Sequence, residues 1–261
     1  MTVLDVRPGV GDLLKAWRGK RRMSQFDLSL AADVSTRHLS YVETGRAKPS
    51  RAFLLHVAER LDVPLRARND LLVAAGFAPV YGETTLDDPA MAQVRHALDL
   101  VLAQQEPFPA LVVDQAWDLV LANEGAAVLF EDLDPAFLEH PNVLRASLHP
   151  DGMASRIEDF AVFSGHILSR LRRQVALTAD ERLTALYDEL AALPGVAVVE
   201  PLTDHPGVVL PVRIRTRRGV LSFFTTAATF GTAADVTLSE LTVESFFPAD
   251  EATRLALTVG A

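Results

Sequence analysis

Apolar residues recur at helical spacing through the first 75 positions of the chain. Val10, Leu13, Leu14 and Trp17 mark a first helix, and Arg18, Lys20, Arg21 and Arg22 gather at its end, where cations suit the helix dipole. Ser24 stands as an N-cap before Gln25-Phe26-Asp27-Leu28, and Leu28, Ala31 and Ala32 give a second helix its apolar side. Asp33-Val34 leaves room only for a tight turn. Ser35 caps a third helix with Leu39 and Val42 inward, and Gly45 stops it at a position suited to left-handed backbone. Pro49-Ser50 opens a fourth helix holding Phe53, Leu54, Val57 and Leu61, and a fifth follows Pro64 over 65–75.

Gly and Pro interrupt the pattern over 76–82 and again at Glu106-Pro107-Phe108-Pro109. Between them a helix over 90–105 places Met91, Val94, Leu98 and Val101 at spacings of three and four, with Leu102 beside them; it can pair with its twin or pack on its own body. A hairpin is predicted next: Ala110-Leu111-Val112-Val113-Asp114, a turn at Gln115-Ala116, then a strand from Trp117 to Leu121, with Asn123 capping the following helix. Helical periodicity returns over 155–175 and over 179–193. The period then drops to two: Leu210, Val212 and Ile214 alternate with Pro211, Arg213, Arg215 and Arg217, a half-buried strand with a basic outer face. Arg218-Gly219 turns into a strand over 220–226, and 236–246 supplies a last one. Two strands, several helices, then three strands predict an antiparallel sheet with helices, the order of PAS-like domains. The predicted fold class is an all-α helix-turn-helix N-terminal domain (1–80, motif core 12–64), a linker and connecting helix (81–106), and an α+β PAS-like C-terminal domain (107–261).

Charge sharpens this division. The net charge of the 261-residue chain is −9, yet residues 1–82 hold 13 Lys and Arg against 8 Asp and Glu, while the remainder holds 12 against 26. A basic head on an acidic body is expected when one end meets a polyanion. With 49% hydrophobic residues, the chain can bury real cores. The absence of cysteine excludes disulfides, thiolate zinc sites and a cysteine nucleophile. No apolar run reaches the roughly 18 residues of a membrane span and no signal-peptide pattern opens the chain, so a soluble, cytoplasmic protein is expected. Nucleotide-binding glycine motifs and the nucleophile elbow are missing, and the seven histidines lack metal-ligand spacing, so neither an enzyme nor a metal site is expected. His166 on the long predicted helix is a conceivable haem ligand; a solvated or hydrogen-bonded histidine is the ordinary alternative.

Two short helices joined by a tight turn have helix-turn-helix geometry, in which the start of the second helix reaches base edges in the major groove. The run Ser24-Gln25-Phe26-Asp27-Leu28, Ala31, Val34-Ser35, Leu39-Ser40, Glu43-Thr44-Gly45-Arg46, Pro49-Ser50 resembles the Cro/cI (XRE) family in order and spacing. Geometry puts Ser35, Thr36, Arg37, His38, Ser40 and Tyr41 on the DNA-facing edge, with Arg37 the best candidate for a bidentate guanine contact. His38 has a bland alternative as an exposed helix residue without contact. Arg46 and Lys48 suit phosphates. Glu43 reads as structural, since DNA would repel it. The resemblance further implies that Gln25 holds a phosphate or a neighbouring base contact.

In the acidic part, Pro109-Ala110-Leu111-Val112-Val113-Asp114, Trp117-Asp118, Ala122-Asn123 and Asn142-Val143-Leu144-Arg145 resemble the ligand-binding domain of MmyB-like regulators, as does the junction Ala75-Gly76-Phe77-Ala78-Pro79. The stretch 194–208 and the basic strand 211–218 depart from that pattern. The resemblance implies a PAS-like body able to hold a fatty acid or other hydrophobic ligand. Candidate lining residues are Phe160, Phe163, Ile167, Leu171, Leu221, Phe223, Leu241 and Val243, any of which can equally be ordinary core, while Arg145 or a strand arginine suits a carboxylate. The expected partners are double-stranded DNA, a hydrophobic small molecule and a second copy in a homodimer. Two alternatives stay open: a helical interaction or assembly protein, and a ligand-independent regulator whose C-terminal domain only dimerises.

Overall fold

The computed structural model describes residues 8–198 and 211–258. Leu210 and residues 199–208 of the divergent stretch lie outside them. The chain divides into two compact units after Glu83, residues 233–236 grouping with the first.

The first unit contains α1 (Val10–Lys20), α2 (Gln25–Ala31), α3 (Thr36–Glu43), α4 (Arg51–Arg60) and α5 (Leu65–Ala74). Serines start three of them. Ser24, Ser35 and Ser50 accept from the amides of Asp27, His38 and Phe53, satisfying donors that a helix start leaves without partners. At Ser24 the Asp27 carboxylate also accepts from the Ser24 amide, closing a capping box. Leu14, Leu28, Leu39, Val42, Leu54, Val57, Leu61 and Leu72 make the buried centre. Of the two alanines predicted on the apolar side of the second helix, Ala32 is buried and Ala31 is exposed. His56 Nε2 pairs with the Ala32 carbonyl oxygen at 2.7 Å and ties α4 to that corner. Gly45, at φ 71°, ends α3, and the Arg46 and Gly45 amides donate to the Tyr41 and Val42 carbonyls as a left-handed C-terminal cap requires. Gly11 marks a second tight place. A Cβ there would stand 2.6 Å from the carbonyl oxygens of both Val42 and Glu43, so α1 lies backbone to backbone on the end of α3.

The second unit contains, in order, α6 (Ala92–Gln105), β1 (Ala110–Val113), β2 (Leu119–Ala122), α7 (Ala136–Glu139), α8 (Val143–Leu148), α9 (Phe160–Thr178), α10 (Glu181–Ala191), β3 (Val212–Thr216), β4 (Gly219–Thr229), α11 (Val236–Glu240), β5 (Thr242–Pro248) and α12 (Glu251–Thr258). Its sheet is antiparallel, in the order β2-β1-β5-β4-β3. Every residue of β1 is buried because both faces of the sheet are covered. Leu98 and Leu102 of α6 pack on one face against Ala110, Val112 and Val243. The helix over 90–105 therefore packs on its own body. On the other face Leu111, Met153, Ile157, Ile214 and Phe223 form one cluster, and Leu168 and Leu171 of α9 join Leu183, Leu186 and Leu190 of α10 in another.

Several boundaries differ from those the sequence predicts. The long helix starts at Phe160 rather than 155, because Asp159 has φ 52° and a right-handed helix cannot pass through it. Ile157 instead bridges to Ile214 as an isolated β pair. Trp117 has φ 68° and belongs to the turn, so β2 begins at Leu119. The Asp114 carboxylate braces that turn by accepting from the amides of Ala116 and Asp118. The last strand is half a helix: α11 occupies 236–240, with Val236 buried, and pairing resumes only at Thr242. Asn123 caps, as expected, though the element is a 3₁₀ turn over 124–128. Its amide also accepts from Ala110 N–H and donates to the Phe108 carbonyl, tying β1 to the start of that turn. No helix among the described residues is long and apolar enough to cross a membrane.

Candidate functional site

The outward edge of α3 is built by the two residues that point the other way. Leu39 and Val42 are fully buried, which leaves Ser35, Thr36 and Arg37 exposed and His38, Ser40 and Tyr41 half-buried. Arg37 lies along this edge. Its Nε donates to the Tyr41 hydroxyl at 3.0 Å, and its guanidinium stands 5.3 Å from the centre of the Tyr41 ring. Arg46 and Lys48 are exposed in the loop after α3, and neither side chain has a partner among the described residues. Thr36 and Ser29 share a hydroxyl hydrogen bond of 2.7 Å that fastens α2 to α3.

Two predicted contact residues have other commitments. The His38 ring meets Phe53 edge-on at 4.9 Å, so it packs α3 on α4 and offers DNA only part of its perimeter. Gln25 is half-buried and its Nε2 donates to Glu43 Oε2 at 2.7 Å, so its amide is turned inward rather than toward a phosphate. Glu43 is structural, as its charge implies. Its side chain is 1% exposed, and Arg18 clasps it with Nε and Nη2 at 2.7 and 2.8 Å. Burial alone would push this carboxyl up. The hydrogen bonds from Arg18 and Gln25, with the charges of Arg18 and Lys15, outweigh burial and hold it below the usual carboxylate range.

The second unit holds a partly open cavity of about 330 Å³ between the sheet, α8 and α9. That size suits a small organic ligand. Phe163 and Ile167 line it, as predicted, in company with Leu111, Trp117, Met153 and Phe246. The other candidates lie elsewhere. Leu171 is buried against α10, and Phe160 packs between the two clusters without reaching the cavity. Leu221 and Phe223 are solid core behind its wall. Leu241 and Val243 face α6, on the opposite side of the sheet. Arg145 pairs with Glu189 on the surface at 2.7 Å and does not reach the cavity.

Helical periodicity found only part of the wall because α9 has two neighbours. Ser164, Leu168 and Leu171 form its buried side, while Phe163, Ile167 and Arg170 turn to the cavity. Among the charged residues of the wall, sequence reading pointed to a strand arginine, which Arg213 is, and passed over Arg170, Glu158 and Glu244. Arg170 pairs with Glu244, and Arg213 pairs with Glu158 at 3.0 Å. A visible signal existed for Glu244, a carboxylate between Val243 and the Phe246-Phe247 pair on a strand that is otherwise free of charge. His166 lines the cavity, and no group of His, Asp and Glu among the described residues could hold a metal ion.

Family models agree with this division of labour. Residues 10–71 match a helix-turn-helix domain, and residues 94–258 match the MmyB-like transcription regulator ligand binding domain. No curated protein sequence matches the chain. The second match spans more than half of the chain and holds the whole cavity wall, while the first holds α3 and its neighbours. The chain thus belongs to the MmyB-like transcription regulators, joining a DNA-binding helix-turn-helix to a ligand-binding domain.

Proposed function

We propose that the chain is a sequence-specific transcriptional regulator that binds an operator as a homodimer and is controlled by a hydrophobic small molecule in its C-terminal cavity. The observation that carries the reading is the edge of α3, where Arg37 stands outward while Leu39 and Val42 anchor the helix from behind. Such an edge inserts into the major groove, and paired heads read half-sites about 34–36 Å apart. Leu100 and Val101 stay outward on α6 and offer apolar surface to a second copy. A DNA-bound regulator works in the cytoplasm of a bacterial cell. The strand order β2-β1-β5-β4-β3 supports a PAS-like body, and the apolar wall suits the hydrocarbon chain of a fatty acid or related amphiphile, the ligand class that the family resemblance implies.

A gel-shift titration tests the DNA reading. Arg37→Ala is expected to weaken operator binding by about 1–3 kcal/mol and to relax preference at one base pair. Lys48→Ala is expected to weaken all sequences alike and to reduce the salt slope by about one. Operator affinity unchanged in both variants would overturn the docking of α3. For the sensing reading, the ligand must bind the two DNA-binding states unequally. Equal operator affinity with and without a bound ligand would leave a constitutive regulator.

A further inference from the structure

The polar end of the cavity says what kind of head group it takes, an inference that rests on the ligand-binding reading above. Arg170 of α9 and Glu244 of β5 meet there. Arg170 Nη1 donates to Glu244 Oε2 at 3.2 Å and Nη2 donates to Oε1. The guanidinium stands 4.5 Å from the centre of the Trp117 ring, and that indole is fixed by donating from Nε1 to Gln174 at 2.8 Å. The Glu244 side chain is 7% exposed and that of Arg170 30%, so the two charges cancel in a pair that is largely buried on the carboxylate side.

A guanidinium carries five N–H donors. Two serve Glu244, and the remaining three have no acceptor among the described residues. They adjoin an apolar wall that includes Ile167 and Phe246. The head group that fits is a hydrogen-bond acceptor. Charge then selects among acceptors. The described lining residues carry two guanidinium groups, Arg170 and Arg213, and three carboxylates, Glu158, Asp159 and Glu244. A carboxylate ligand against Arg170 would be the second anion on one cation already neutralised by Glu244, and the burial of Glu244 leaves its repulsion of that anion only partly screened. A carbonyl offers the same acceptor without that repulsion.

We infer that the cavity is built for an uncharged amphiphile, an apolar chain ending in an ester or amide carbonyl that accepts from Arg170, and that it discriminates against the free carboxylate of the same chain. The test titrates the full-length protein with decanamide, methyl decanoate and decanoate, read by native mass spectrometry and by the fluorescence of Trp117, which lines the site. At about pH 7, where the acid is ionised, the amide and the ester are expected to bind at least about tenfold tighter than decanoate. Glu244→Gln, which uncovers the charge of Arg170, is expected to erase or invert that preference. Decanoate binding as tightly as its neutral analogues in the unaltered protein would overturn the head-group inference and leave ligand binding standing. An unchanged preference in a folded Glu244→Gln variant would also overturn it. Binding of none of the three would overturn both. The comparison in the unaltered protein decides even where the variant fails to fold.

Discussion

Glu43→Ala is expected to lower the stability of the helix-turn-helix unit by about 3–5 kcal/mol, the cost of breaking a buried ion pair from one side. The change removes the acceptor of two Arg18 bonds and of the Gln25 amide at once. It leaves a guanidinium whose side chain is only 14% exposed facing an empty space between α1 and α3. Hydrogen exchange along α1–α3, with an operator titration beside it, measures the effect. Protection equal to that of the unaltered chain would show that the pair does not hold the unit together. Joint replacement by Arg18→Met and Glu43→Met is expected to recover much of the loss, because apolar packing substitutes well for a buried pair. The same carboxylate sets a pH dependence. Its folded pKa lies below the ordinary value, so its stabilisation is present above the unfolded carboxylate range, about pH 4.3, and is lost as pH falls through the lower folded value. Acid unfolding of the first unit should therefore begin at a higher pH in cells of a titration series where Arg18 has been replaced.

Gly11→Ala and Gly19→Ala are expected to act in opposite directions, although both add one methyl group to the same helix. At Gly11 the new Cβ would stand 2.6 Å from two carbonyl oxygens of α3, and neither belongs to a side chain that can swing away. The backbones must separate, at a cost of about 1–3 kcal/mol or more, and operator affinity should fall with the displacement of α3. At Gly19 nothing lies within 4 Å, so the alanine gains helix propensity of about 0.5–1 kcal/mol. Thermal or denaturant unfolding of the two variants gives the sign of each directly. Stabilisation by both would mean that α1 can slide off α3 without loss, and the close approach would lose its meaning.

The helical head was legible because each of its signals is local. Ser24, Ser35 and Ser50 bond to amides three residues on, and Gly45 ends α3 through its own backbone, so a short window of sequence contains the whole interaction. The bond from Gln25 to Glu43 spans 18 residues, and nothing near Gln25 announces it. A surface role was the natural expectation for such a polar side chain at a helix start. The order of elements in the body was legible from the change of period, as was the cap at Asn123. What escaped was that the apolar face of α9 is shared between α10 and the cavity, so that Phe163 and Ile167 line the chamber while Leu171 does not. Residues 236–240 begin with the β-branched Val236 and Thr237, which favour a strand, yet they fold as α11 with Val236 buried.

Neighbouring residues of β5 belong to different worlds. Glu244 reaches into the cavity, while Val243 lies beneath α6 with Leu98 and Leu102. Directly across from Glu244 is Leu111, which lines the same cavity, and its neighbours Ala110 and Val112 also face α6. One peptide unit therefore separates whatever occupies the chamber from the helix that follows the junction in the chain. Chamber and helix thus rest on opposite sides of a single ribbon.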